Sequence, residues 1–129
     1  MSGKALLDTN VVIALFAGDP VAVQSLESKA AVFLCVPVIG ELRYGALASS
    51  RVEQNLARLA EFGEALEVLL CDAETAACYS AVKFDLRKKG RTIPENDVWI
   101  AAIARQHGLT LVSRDSHFRE IERLDVELL

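Results

Sequence analysis

The stretch Lys4-Ala5-Leu6-Leu7-Asp8-Thr9-Asn10 decides how the rest of the chain is read. Ala5, Leu6 and Leu7 show no polar alternation, so a strand here has both faces covered, as in a parallel sheet. That strand ends on Asp8, and an apolar run over residues 11–16 follows at once. An acid at the carboxyl end of such a strand lies where open α/β sheets place their sites. An aspartate that ends a strand also caps a following helix. Asp8 alone leaves both readings open.

Outward from this stretch, short apolar runs recur at residues 32–35, 68–71 and 109–112, with a last candidate strand at 125–129. Helical periodicity lies between them. Thr9 and Asn10 start a helix that Gly18-Asp19-Pro20 stops; residues 21–30 follow as a second helix with Glu27 and Lys29 outside. Pro37 opens a helix over 38–48 with Leu42 and Ala46 inward, and Glu41 borders that apolar face. Residues 51–64 carry Val52, Leu56, Leu59 and Phe62 on one stripe, giving a helical hairpin that projects from the sheet. Asp72 caps a helix to about residue 89, with Ala77, Ala81, Phe84 and Leu86 as its inner side. A basic loop, 87–94, leads to a buried helix over 98–107 that opens at 95–97 and closes at Gly108. A short helix at 117–122 precedes the last strand. Strands alternating with helices imply an α/β fold, a parallel sheet covered on both sides with right-handed crossovers.

The bulk composition narrows the class. A chain of 129 residues, 52% hydrophobic, with no linker or repeat, makes one domain over 1–129 with a proper core. Three cysteines, Cys35, Cys71 and Cys78, in apolar or helical surroundings and without a Cys-x-x-Cys, exclude a disulfide framework or zinc knuckle. They read as reduced, buried thiols of a cytoplasmic protein. Lys4 and residues 11–16 imitate a signal peptide, but Asp8, Thr9 and Asn10 interrupt it. No apolar run is long enough for a membrane helix. The net charge of -4 weighs mildly against a nucleic-acid binder, unless the acids are concentrated at a metal site that inverts their local sign.

Four acids are placed for such a site. Asp8 and Asp115 follow buried strands, and Glu41 and Asp97 lie near the starts of helices, so all four can reach one edge of the sheet. Each has a plainer reading: Asp97 as a complement to its helix dipole, Glu41 as a partly exposed helix residue, Asp115 as a turn residue or cap. Four carboxylates at one rim repel each other strongly unless a cation compensates or some of the acids stay protonated. All-oxygen donors suit Mg2+, with Mn2+ as the alternative, and such sites hydrolyse phosphodiesters.

At this point the motifs carry a resemblance. Leu6-Leu7-Asp8-Thr9-Asn10, Gly40-Glu41-Leu42-Arg43-Tyr44-Gly45, Asn96-Asp97-Val98-Trp99-Ile100-Ala101-Ala102 and the segment from Gly108 through Asp115 to Phe118 occur in the order and spacing of PIN-domain proteins. The chain most resembles the VapC-like toxins of bacterial VapBC toxin–antitoxin pairs. The resemblance implies a three-layer α/β/α fold with a five-stranded parallel sheet in the order 3-2-1-4-5, which sets Asp8 beside Asp115. It implies a metal-dependent endoribonuclease acting on tRNA, rRNA or mRNA, a VapB-like antitoxin partner, and a homodimer. It makes Asp8, Glu41, Asp97 and Asp115 the catalytic and metal-binding acids, supported by Asn10 and Ser113. One departure stands out: residues 36–40 lack the Ser or Thr that many relatives carry before the second acid.

An acidic nuclease still has to hold RNA. Arg43, Lys88, Lys89, Arg91 and Arg114 are candidate phosphate contacts, and a solvated charge run is the alternative for the loop residues among them. Tyr44 and Trp99 can stack bases, with core packing the better reading for Trp99. No histidine is required. His107 ends a helix, where a cation suits the dipole, and His117, nearer the site, reads rather as a surface or interface residue. Two other classes share the fold logic. A phosphoacceptor or phosphatase-like module needs a late-strand lysine or a second acid after Asp8, and residues 110–115 and 9–10 offer neither. A non-toxin PIN nuclease or a PIN-like binding domain is the other.

Overall fold

Three apolar residues in a row leave β1 (Lys4–Leu7) without a solvated side, and Ala5, Leu6 and Leu7 are buried. The computed structural model describes residues 3–129. In it β1 is the middle strand of a five-stranded parallel sheet. The others are β2 (Ala31–Cys35), β3 (Glu67–Leu69), β4 (Thr110–Ser113) and β5 (Val126–Leu128), in the order β3-β2-β1-β4-β5. Ala5 pairs with Val32 on one side and with Thr110 on the other. The chain therefore builds outward from β1 in one direction, then crosses back to its other edge. This reversal opens a crevice at the carboxyl ends of β1 and β4.

Helices α1 (Thr9–Phe16) and α2 (Pro20–Glu27) join β1 to β2, and α3 (Val36–Leu47) and α4 (Val52–Ala65) join β2 to β3. Helices α5 (Ala73–Lys89) and α6 (Glu95–His107) make the long crossover to β4. With right-handed connections, the change of direction after β3 puts α5 and α6 on the face opposite α1–α4. Leu6, Leu34, Ile100, Ile103, Leu111 and Phe118 are fully buried between the layers. Local chemistry sets the ends. Asp19 accepts from the backbone N–H groups of Val21 and Ala22 at the start of α2. Asp72 and Thr75 form a reciprocal capping box at the start of α5. Gly90, at φ +71°, closes α5 in the left-handed conformation that a Cβ disfavours.

Sheet order and hairpin match expectation. Leu42, Ala46 and Leu59 are buried where α3 and α4 meet, while α3 also packs on α1, α6 and β2, so only the outer side of the hairpin projects. Several expectations are corrected. The inner face of α5 is Thr75, Val82 and Leu86; Ala77 and Ala81 are exposed, as is Phe84 at 58%. Alanine is compatible with either side of a helix, so Ala77 and Ala81 do not fix its phase. Arg87, Lys88 and Lys89 are the last turn of α5, where cations complement its dipole, and the loop is confined to residues 90–94. Strand β3 ends at Leu69, leaving Leu70 and Cys71 exposed. Cys71 is thus not a buried thiol, whereas Cys35 is, and burial pushes its thiol up to about 12. Lys29 lies beyond α2, and its side chain is mostly buried in an ion pair with Glu127, 2.7 Å away.

Among the described residues no single helix is long and apolar enough to cross a membrane. Helices α1 and α2 pass such a test only as a pair bent by 110°, and Val11, Val12, Ala14 and Ala22 of that pair are buried in the core.

Candidate active site

Strand β1 delivers Asp8 to the crevice, and β4 fixes it there. The Asp8 N–H donates to the Val112 carbonyl at 2.9 Å, continuing the sheet one residue past the strand. The side chain then caps α1, with Oδ1 accepting from the Thr9 N–H at 2.8 Å. Oδ2 accepts from the Ser113 hydroxyl at 2.6 Å. The two readings of Asp8, cap and site residue, are therefore compatible: the cap occupies one oxygen and orients the other. Ser113 also accepts from the Asp115 N–H at 2.9 Å, so one buried hydroxyl holds both acid-bearing segments.

Asn10 adds a second clamp. Its Nδ2 donates to Asp115 Oδ2 at 3.2 Å and its Oδ1 accepts from the Arg114 N–H at 3.1 Å. Glu41 comes from the second turn of α3 and is exposed rather than bordering an apolar face; the Thr9 hydroxyl donates to its Oε1 at 2.7 Å. Asp97 sits in the first turn of α6, its side chain 13% exposed. The Asn96 side chain reaches the Pro37 carbonyl at 3.4 Å, tying the start of α6 to the start of α3 and so Asp97 to Glu41.

The result is a cleft of about 310 Å³ lined by Asp8, Thr9, Asn10, Glu41, Asp97 and Asp115, with Ile13, Pro94 and Asn96 at its walls. One carboxylate oxygen each from Asp8, Glu41 and Asp97 lie within 4.8 Å of one another. A second group within the same limit is Asp97, Asp115 and His117. Burial pushes the Asp8 carboxyl up, and the charges of Asp115 and Glu41 add to this, against the pull of the Ser113 and Thr9 bonds. Asp97 is pushed up to about 6, by burial first and then by the charge of Asp8, with His117 opposing. Oxygen donors gathered this closely, at a cost to their own ionisation, fit a divalent cation.

The basic candidates are less concentrated. Arg43 lies two residues from Glu41 on α3, which on a helix points it to a different side. Arg114 is ion-paired with Asp19. Lys89 donates to the Glu120 carbonyl at 2.6 Å, and Lys88 lies 5.2 Å from the centre of the Phe84 ring. Arg91 is exposed in the loop leading to Pro94. Trp99 stacks on Tyr79 with ring centres 3.9 Å apart, so packing describes it better than base contact; Tyr44 is exposed. Sequence reasoning missed Thr9 and His117. The role of Thr9 depends on Glu41, 32 residues away in the chain. His117 is partly exposed, as a surface residue near the site would be, and its Nε2 is 2.9 Å from Asp97 Oδ2, a pairing that the sequence does not announce.

The chain is similar to known proteins over nearly its whole length. A family model described as PIN domain matches residues 5–124. The chain is 39% identical over 123 residues to Ribonuclease VapC2 of Haemophilus influenzae, covering 94% of this chain and 92% of that protein. It is 32% identical, with the same coverage, to the tRNA(fMet)-specific endonuclease VapC of Shigella flexneri. Among solved structures, VapBC2 from Rickettsia felis, bound to a DNA fragment from its promoter, superposes with a TM-score of 0.90 at 29% identity, over 98% of each chain.

Proposed function

The chain belongs to the PIN-domain family, and from that premise we propose that it is an endoribonuclease, the toxin of a VapBC-type toxin–antitoxin pair. The observation that carries this reading is the convergence of Asp8, Glu41 and Asp97 within 4.8 Å at the carboxyl edge of the sheet, with Asp115 in the same cleft. The similarity to ribonucleases of the VapC type over nearly the whole chain supports it.

We assign a divalent cation, Mg2+ or Mn2+, to Asp8, Asp97 and Asp115. When bound, it lowers the pKa of water and offsets charge building on the phosphoryl group. The residues of the chain do the rest. Ser113 and Thr9 fix the Asp8 carboxylate before substrate arrives, so no reorganisation is needed during the reaction. Glu41 is held through Oε1 by Thr9, which leaves Oε2 to accept the proton of the attacking water. Asn10 and Ser113 keep Asp115 in register with Asp8. Lys88 and Arg91, exposed before α6, supply phosphate contacts at the margins. Arg114 and Lys89 must first leave their present partners.

The partner reading has its own surface. A groove of about 280 Å³ between α1, α3 and α4 is lined by Ile13, Phe16, Leu42, Ala46 and Leu59, with Arg58 at its rim. Ile13 lines both groove and cleft, so an antitoxin helix seated there ends beside the acids, where a basic tail is attracted. A homodimer and a cytoplasmic location belong to the same reading.

The test is cleavage of RNA by the purified chain with Mg2+, with EDTA, and with the Asp8→Asn variant. Cleavage is expected only in the first case, falling by at least about a hundredfold in the variant (about 2.7 kcal/mol of barrier), while circular dichroism shows the fold intact. Undiminished cutting in EDTA overturns the metal assignment. Growth arrest on expression, relieved by the product of a small adjacent gene, distinguishes a toxin from a nuclease of another role.

A further inference from the structure

Another cavity lies across the loop that leads to Asp97. It measures about 270 Å³ and sits between the end of α5 and the start of α6. Leu86, Ile93 and Val98 form its apolar wall, and Lys83, Arg87 and Glu95 its charged rim. Pro94 lines the acid cleft while Ile93 and Glu95 line this cavity, so only the chain at residues 93–95 separates the two. The Arg91 N–H donates to the Leu86 carbonyl at 2.9 Å, which folds the loop back on α5 and holds the cavity's shape. A concave apolar site with a few convergent polar groups is built as ligand pockets are.

The polar groups are specific in what they offer. Lys83 Nζ donates to Glu95 Oε1 at 3.0 Å, to Glu95 Oε2 at 2.9 Å and to the Tyr79 hydroxyl at 3.1 Å. Those bonds use all the donors of the ammonium, whereas each Glu95 oxygen accepts one of them and keeps a lone pair. Lys83 therefore fixes the carboxylate, and the rim presents two adjacent acceptors. We propose that this cavity receives an unpaired guanine of the RNA, next along the strand from the linkage that is cut. Its base rests on Leu86, Ile93 and Val98, and its imino and amino N–H groups donate to Glu95. The inference rests on reading the chain as an endoribonuclease. Unpaired RNA bases are splayed out and read on their Watson–Crick edges. Guanine is the base whose edge carries two neighbouring donors, the match for a carboxylate held by both oxygens; adenine and cytosine offer one amino group there. Arg87, exposed on the same rim, is placed for the nucleotide's phosphate. The competing account is a solvent-filled groove beside a surface ion pair, which by itself contributes little to stability.

The test gives the full chain, with Mg2+, a randomised single-stranded RNA and sequences the ends it makes. Guanine is expected at one fixed position beside the cut. Replacing that guanine by inosine, which lacks the amino group, should lower kcat/KM about tenfold in the wild type and less than about twofold in Glu95→Ala. The methyl NMR signals of Ile93 and Val98 report on the cavity without any cutting. Guanosine monophosphate should shift them in the wild type and not in Glu95→Ala, and adenosine, cytidine and uridine monophosphates should leave them in place. The wild-type arms answer the question even if the variant does not fold. Cutting without a guanine preference, or at equal rates with inosine, overturns this inference and leaves the nuclease standing. Methyl shifts that follow protein concentration alone put a second copy in the cavity and overturn it too. Absence of cutting overturns the nuclease, and the nucleotide titration then decides by itself whether the cavity takes guanine.

Discussion

At the residue scale, Asp8 shows why the site was legible and where legibility stopped. Its position follows from local rules: a buried strand, a terminal carboxylate, a helix that needs a cap. The same holds for Asp97, in the first turn of α6, and for Asp115, which precedes a short helix. Thr9 and His117 were not legible because their roles depend on groups distant in the chain, Glu41 in α3 and Asp97 in α6. The crowding has a measurable consequence. Asp97 is pushed up to about 6 from an ordinary value near 3.8, so between those values the folded chain holds a proton that the unfolded chain has lost. Stability from this group is fully present below pH 3.8 and is lost as pH rises through about 6. In EDTA, the melting temperature of the wild type should fall across that window. Asp97→Asn should flatten the fall, and added Mn2+ should restore stability at neutral pH; a wild-type profile unchanged by Asp97→Asn would contradict the assignment.

At the element scale, strands were easier to read than helix faces. Apolar runs announced β1, β2 and β4, and parallel packing made their position in the sheet nearly independent of phase. Helix α5 is the contrary case. Its alanines at 77 and 81 look outward, and Thr75, Val82 and Leu86 look inward, because the capping box and the contact of Thr75 with Gln106 of α6 at 2.5 Å fix its rotation. Its far end depends on Gly90, whose φ of +71° has open space around the missing Cβ. The cost of Gly90→Ala is therefore that of the left-handed backbone alone, about 1 kcal/mol. Thermal melts monitored by circular dichroism should show that loss. The loop to Pro94 begins at this glycine, so the same substitution should also raise KM for RNA more than it lowers kcat.

At the scale of the whole molecule, two opposing charge effects set the range of stability. Glu127 on β5 accepts from Ser25 at 2.6 Å and pairs with Lys29, tying the edge strand to α2 and the segment after it. Burial opposes its ionisation, but Lys29 and Ser25 outweigh that and hold it below the usual carboxylate value of 4.5. Its contribution is present above that value and is lost in acid, the reverse of Asp97. Of these two effects, one is lost in acid and the other declines as pH rises toward about 6, so the metal-free protein should be most stable near about 4.5 and lose stability on either side, as a scan of melting temperature against pH would show. Glu127→Gln leaves the mostly buried Lys29 ammonium without its carboxylate and should cost about 1–2 kcal/mol at neutral pH. The wiring of the cleft also has a meaning in time. The bonds joining Asp8 to Ser113 and Asn10 to Asp115 each span 105 residues, and β4 must pair with β1 before either can form. During synthesis the ribosome releases Asp8 well before Asp115, so a chain that has not reached β4 has no complete cutting centre. A cell making this enzyme is exposed to it only once translation of the domain is nearly done, which leaves the length of that synthesis for a partner made beforehand to be waiting.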